Sequence, residues 1–188
     1  HACKDEVIYI VGGGNSACQA AMYMCKFAKE VNILIRRDSI KNTAAYYLAE
    51  SIMKTPNIKV HPHTEIFSAE GDKVLEKITL KDSKTGEQKT VTAKALFIYI
   101  GAKPGTFWLN NIVLKDEKGF IMTGNDLTKE KSFKQLWKLE RMPLMSETSV
   151  PGIFASGDVR STALTGISSA VGEGAMAIRF VRKYLEAM

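Results

Sequence analysis

The amino-acid sequence predicts an α/β fold, and three observations carry that expectation. An apolar, β-rich run at residues 7–11 ends in a glycine-rich turn that opens a helix-forming stretch. Strand and helix patterns then alternate through residues 31–35, 44–54 and 58–60. A second fully apolar run, residues 95–100, again ends in glycine, at Gly101. Apolar runs without alternation suit parallel strands covered on both faces, so both runs belong in one parallel sheet.

The bulk numbers narrow the setting. The chain's 188 residues and 45% apolar content suffice for one sizeable domain or two small ones with a buried core. No run of about eighteen apolar residues is present to span a bilayer, and no signal-peptide pattern opens the chain, so no membrane association and a cytoplasmic location are expected. Cys3, Cys18 and Cys25 form no CxxC pair and no disulfide framework, and they read as reduced thiols. The formal charge of +6 comes from scattered lysines without a basic helix, so no nucleic acid is expected; nucleotide phosphates satisfy the same charge balance. The chain opens at His1 directly before a strand, which marks it as a fragment or processed piece with further motifs expected upstream.

The first strand runs into Gly12-Gly13-Gly14-Asn15-Ser16-Ala17, which satisfies G-x-G-x-x-G/A, and an Ala-, Met- and Cys-rich helical stretch follows over residues 17–28. Gly12 permits the tight turn, Gly14 lets backbone approach a pyrophosphate, and Ala17 allows close packing of helix on strand. The first amides of the helix, at Asn15 and Ser16, face the phosphate. A Rossmann-like dinucleotide site is therefore expected. The second strand ends in Arg36-Arg37-Asp38, where an NAD site places an acid on the ribose hydroxyls. A guanidinium is a planar multiple donor suited to a phosphate dianion, so Arg36 and Arg37, with Lys41 one turn on, predict a pocket for the 2′-phosphate of NADPH. Asp38 and Ser39 otherwise read as capping residues of a solvated basic helix start.

Pro56 and Asn57 end the second helix. Residues 65–69, 74–81 and 89–93 then alternate apolar and polar, with turns at Gly71-Asp72 and at residues 82–86, which predicts a β-meander. The strand at 95–100 returns to the parallel sheet, and its carboxyl end brings Ile100 and Gly101 beside the nucleotide held at Gly12. His61 and His63 flank Pro62 and have no third ligand nearby, so no metal is expected; Cys18 and Cys25, seven apart, share a helical face and read as core.

In their order, the glycine motif, Arg36-Arg37 with Lys41, and the stretch from Ile100-Gly101 to Pro104 resemble the NADPH domain of thioredoxin reductases. Residues 148–159, ending Ala155-Ser156-Gly157-Asp158-Val159, resemble the stretch by which that family holds FAD, with the Asp on the ribityl chain. Residues 168–177 resemble its last helix, whose start faces the flavin ring and places Ile167 and Ser168 there by analogy. Residue chemistry agrees: Pro151-Gly152 turns into a short apolar strand, Gly157 allows close approach, Asp158 is an acceptor for hydroxyls, and a helix start presents its positive end to a reduced flavin.

The resemblance implies an α/β, three-layer Rossmann-like NADPH-binding domain with β-meander at residues 1–111. At 112–188 it implies the C-terminal part of a FAD-binding domain, which packs poorly without the rest. It further implies FAD and NADPH as cofactors, hydride passing from NADPH to flavin and electrons onward to a disulfide, thioredoxin or another small redox protein as acceptor, and a homodimer. The cofactors carry this chemistry, so no catalytic side chain is assigned. The family's CxxC pair does not appear in these residues: either it lies immediately upstream of His1, or Cys3 resembles the lone cysteine of a subgroup that lacks the pair. Thr165 and Gly166 replace a common Arg-Gln, and the Lys-rich segment 124–145 with Trp137 is longer than usual. A ferredoxin or flavodoxin NADP reductase-like enzyme and an NADPH-sensing module are the rival readings.

Overall fold

The computed structural model describes residues 3–187. They form two compact units, His1–Gly101 and Ala102–Met188, and residues 102–111 group with the second.

The first unit is built on a four-stranded parallel sheet. Its strands are β1 (Val7–Val11), β2 (Glu30–Leu34), β3 (Ile58–His61) and, last in the chain, β7 (Ala95–Ile98), in the order β3-β2-β1-β7. Between them come helices α1 (Asn15–Met24) and α2 (Tyr46–Lys54). An antiparallel sheet of β4 (Thr64–Glu70), β5 (Lys77–Asp82) and β6 (Gln88–Thr92) completes the unit. Alternation along β1 explains the layering. Ile8 and Ile10 pack with Ala17, Cys18 and Ala21 of α1 and with Leu48, Ala49 and Ile52 of α2. Tyr9, together with Leu34, packs instead against Ile78 of β5 and Ala93. Successive side chains of a strand point to opposite faces, so a wholly apolar strand has two dry faces to cover, with helices on one and the meander on the other. The three layers match the expectation.

Element ends differ by a few residues. The strand expected over 74–81 begins at Lys77, because residues 71–75 form a turn in which Gly71 leaves no room for a Cβ against the Val74 carbonyl. The turn at 82–86 is ordered by Asp82, whose Oδ1 accepts from the amides of Lys84 (2.8 Å) and Thr85 (2.9 Å). Cys18 is buried in α1, and Cys25 sits at that helix's C-cap, half-buried against the same core.

The second unit has little regular structure before its last helix. It contains three short 3-10 stretches, Phe107–Leu109, Gly124–Lys129 and Gly157–Val159, one turn of α-helix, α3 (Phe133–Leu136), and the 20-residue α4 (Ile167–Glu186). The apolar strand expected after Pro151-Gly152 is not formed. Phe154 makes one isolated antiparallel bridge to Glu147, flanked by the Thr148 to Ile153 and Ala155 to Ser146 backbone bonds at 2.8 Å, and with one short partner no ladder extends. Two small apolar clusters form, one around Leu109, Val113, Ile121 and Ala155, the other around Met122, Leu127, Phe133 and Trp137.

A buried ion pair orders the 141–152 segment. The carboxylate of Glu147 is fully buried and accepts from Arg141 Nη1 (2.7 Å) and Nη2 (2.9 Å), from the Leu144 amide (2.9 Å) and from the Gly152 amide (3.0 Å). The Arg141 guanidinium also lies 5.4 Å from the Trp137 ring centre and 5.6 Å from that of Tyr184. None of α4 is fully buried, and Ile167, Val171, Ile178 and Leu185 are exposed along it. No helix among the described residues is long and apolar enough to cross a membrane.

Candidate nucleotide site

At its first two glycines the loop is shaped by close contacts. Gly12 has φ +130°, and a Cβ there would collide with the carbonyl of Tyr99, the residue that follows β7 and continues its ladder through a 2.7 Å bond to the Val11 carbonyl. A Cβ on Gly13 would stand 3.0 Å from Ile35 Cγ2 and 3.1 Å from Thr43 Oγ1. Gly14 is the N-cap of α1 and faces open space. No side chain caps α1 and no acidic residue sits in its first turn, so the first amides, at Asn15 and Ser16, keep their donors for an acceptor from outside.

A cleft of about 700 Å³ opens at the carboxyl ends of the parallel strands. Gly12, Gly14, Arg36, Arg37, Ile100 and Gly101 all line it, with Leu34, Ile66 and Ile98 supplying apolar wall. The structure thus brings together residues from three distant points of the sequence. Ala17 lies instead in the core under α1, fully buried, which is the close helix-on-strand packing that a larger residue would prevent. Asn15 turns its side chain to the Ala45 amide (2.7 Å) and joins the start of α1 to that of α2. Lys41 does not line the cleft; it pairs with Glu50 at 3.4 Å.

Arg36 and Arg37 are exposed, and among the described residues no carboxylate is within ion-pairing distance of either. Asp38 is engaged elsewhere: its Oδ1 meets His63 Nε2 at 2.7 Å and Lys84 Nζ at 3.2 Å. The Lys84 hydrogen bond, then the charges of Lys84 and His63, hold the Asp38 carboxyl below the usual carboxylate range. Ser39 accepts from the Lys41 amide at 3.2 Å, the capping role its sequence position suggests. His61 Nε2 meets Asn32 Oδ1 at 2.7 Å, so the two histidines serve different partners. Among the described residues no group of three or more metal-ligating side chains is assembled.

Sequence reasoning missed Thr43. It donates its hydroxyl to the Gly13 carbonyl at 2.6 Å, across thirty positions, and carries no local motif that marks it. It also missed the Tyr99 carbonyl, the atom that excludes any side chain from position 12.

In the second unit, Gly157, Asp158 and Val159 form a single 3-10 turn. Gly157 has φ +74°, and a Cβ there would lie 3.2 Å from Ala170 Cβ, so the turn rests directly on α4. Its amide donates to Glu173 Oε2 at 2.7 Å. Asp158 is exposed, and its Oδ1 accepts from the Gly166 amide at 3.1 Å, at the N-cap of α4. Ile167 is 87% exposed and Ser168 is exposed, so the helix start that carries both presents a free face.

Comparison with known proteins finds relatives over nearly the whole chain. The model of the pyridine nucleotide-disulphide oxidoreductase family matches residues 2–174. A thioredoxin reductase of Treponema pallidum is 29% identical over 185 residues, covering 98% of this chain and 53% of that protein. One from Peptoclostridium acidaminophilum is 30% identical over 190 residues, covering 98% and 54%. Among solved structures, the Lactococcus lactis thioredoxin reductase in its FR conformation aligns with a TM-score of 0.75 at 28% identity, covering 98% of this chain and 55% of that one. The chain spans about half the length of the curated relatives it matches. The chain belongs to the pyridine nucleotide-disulphide oxidoreductase family.

Proposed function

We propose that the chain is the NADPH-binding part, joined to the C-terminal part of the FAD-binding domain, of a flavoprotein reductase of the thioredoxin reductase type. One observation carries the reading: two exposed arginines, without carboxylate partners among the described residues, line the same cleft as a glycine loop that tolerates no side chain at position 12. Gly12 and Gly14, with the amides of Asn15 and Ser16, hold the pyrophosphate, and Ala17 seats the helix that presents them. Arg36 and Arg37 hold the 2′-phosphate, while Lys41 is engaged by Glu50. Ile100 and Gly101 bound the cleft on the side of β7.

The second unit fits a flavin contact. Gly157, Asp158 and Val159 offer a tight turn with an exposed carboxylate, the acceptor a ribityl hydroxyl requires, and Ile167 and Ser168 stand at the exposed start of α4. When both cofactors are bound, NADPH supplies two electrons as hydride and FAD accepts them. The chain's own residues bind and orient; none is assigned as acid, base or nucleophile. The acceptor is a disulfide of thioredoxin or another small redox protein, a class supported by similarity to thioredoxin reductases. A homodimer and a cytoplasmic location complete the proposal.

The test is the double variant Arg36→Ala/Arg37→Ala. Loss of two charge-assisted contacts weakens NADPH binding by about tenfold or more while changing NADH little. Equal losses for both nucleotides overturn the assignment of the arginines to the phosphate.

A further inference from the structure

The stretch from Arg36 to Lys41 contains one carboxylate, Asp38, immediately after the two arginines of the cleft. An acid at the end of this strand is the group that binds ribose hydroxyls in an NAD site, and beside a 2′-phosphate the same charge is repulsive. Asp38 does not line the cleft, although Arg36 and Arg37 do. Its Oδ1 is held by His63 Nε2 at 2.7 Å and Lys84 Nζ at 3.2 Å.

Both partners of Asp38 belong to one ordered unit. The Ser83 amide donates to the His63 carbonyl at 2.7 Å, so the tip of the β5–β6 hairpin is fastened to the β3–β4 turn. Asp82 orders that tip through the Lys84 and Thr85 amides. His63 itself has φ +54°, a left-handed conformation that a non-glycine residue keeps only where its surroundings hold it. Thr64 follows, its amide bonded at 3.0 Å to the Ile35 carbonyl, one residue before Arg36. The turn that carries His63 is thus pinned to the base of the arginine segment.

We propose, resting on the reading that this cleft holds NADPH, that His63 and Lys84 are specificity-determining residues. They clamp Asp38 away from the cleft and leave Arg36 and Arg37 as the charges a 2′-substituent meets. The preference for a 2′-phosphorylated ligand is therefore set partly by a hairpin far along the chain from the strand that reads the nucleotide. Neither His63 nor Lys84 touches the ligand; both act through Asp38. Glu65 also lines the cleft and is unchanged in every variant below, so differences among them report on Asp38.

The experiment measures the affinities of 2′,5′-ADP and 5′-AMP for the chain by titration calorimetry. In His63→Gln/Lys84→Met, the preference for 2′,5′-ADP falls about three- to tenfold, the range expected for losing partly screened ion pairs beside a phosphate. Lys84→Arg keeps the preference. Adding Asp38→Asn to the His63→Gln/Lys84→Met pair restores most of it, because the released carboxylate no longer exists. A loop that had merely lost its shape gains nothing from Asp38→Asn, so failure of that rescue overturns the clamp, as does an unchanged preference in the double variant. If Arg36→Ala/Arg37→Ala also leaves the preference unchanged, the NADPH reading itself fails. If those arginines matter and the clamp residues do not, only the clamp is wrong.

Discussion

Thr43 donates its hydroxyl to the carbonyl of Gly13 at 2.6 Å, and so a residue just before α2 fixes the middle of the glycine loop that precedes α1. The same hydroxyl lies 3.4 Å from the Ile40 carbonyl. The loop must hold its amides toward one point in space, and its glycines have no side chains with which to do so.

Thr43→Val keeps the shape of the side chain and removes the donor. The expected result is a loss of roughly 1 kcal/mol in stability and a weakening of NADPH binding by about three- to tenfold. Thr43→Ser retains the bond and both properties. Thermal unfolding and nucleotide titration check this, and unaltered affinity in Thr43→Val would show that Ile35 packing alone sets the loop.

The Arg141–Glu147 pair predicts a pH dependence. Burial by itself raises the Glu147 carboxyl, but the Arg141 hydrogen bonds, with those from the Leu144 and Gly152 amides, outweigh it and bring the group below the ordinary carboxylate range. A carboxyl lowered in the folded state binds its proton more readily when unfolded. Its contribution to stability is therefore complete above the ordinary Glu value and is lost as pH falls through the lowered one. Glu147→Gln should flatten the acid side of the stability curve, as followed by urea unfolding at successive pH values. Arg141→Ala leaves the carboxylate buried without its charge partner and should cost about 3–5 kcal/mol at neutral pH. Parallel acid limbs in the parent and Glu147→Gln proteins would remove this pair as the cause.

Glu173 joins α4 to the 157–159 turn, accepting from the Gly157 amide at 2.7 Å and lying 3.5 Å from Arg160. Glu173→Ala should lower hydrogen-exchange protection of the Gly157 amide by about tenfold or more, in line with loss of a charge-assisted bond. Glu173→Gln, which still offers an oxygen, should lose less. Equal protection in all three proteins would mean that the contact with Ala170 holds the turn without Glu173.

Much of the first unit is legible in the sequence because its signals are local. Five apolar residues in a row at Val7–Val11 require a strand covered on both faces, and a glycine run followed by Ala, Met and Cys requires a turn into a packed helix. The second unit is less legible. Ile153, Phe154 and Ala155 have the composition of a strand, yet pairing is not a property of composition, and one isolated bridge is all that forms.

The sequence by itself determined the alternation of strands and helices in the first unit, the position of the glycine loop and the presence of two arginines where a nucleotide-binding acid is usual. Each of these follows from residue type and spacing within a few positions. Only the tertiary structure decided which charges face the cleft. It pairs Lys41 with Glu50, turns Asn15 to the Ala45 amide, gives Asp38 to His63 and Lys84, and brings Thr43 and the Tyr99 carbonyl against the glycines. The physical reason is that an ion pair or hydrogen bond across some nine to forty-six positions depends on how separate strands, helices and turns meet, and nothing in the local spacing of either partner encodes it.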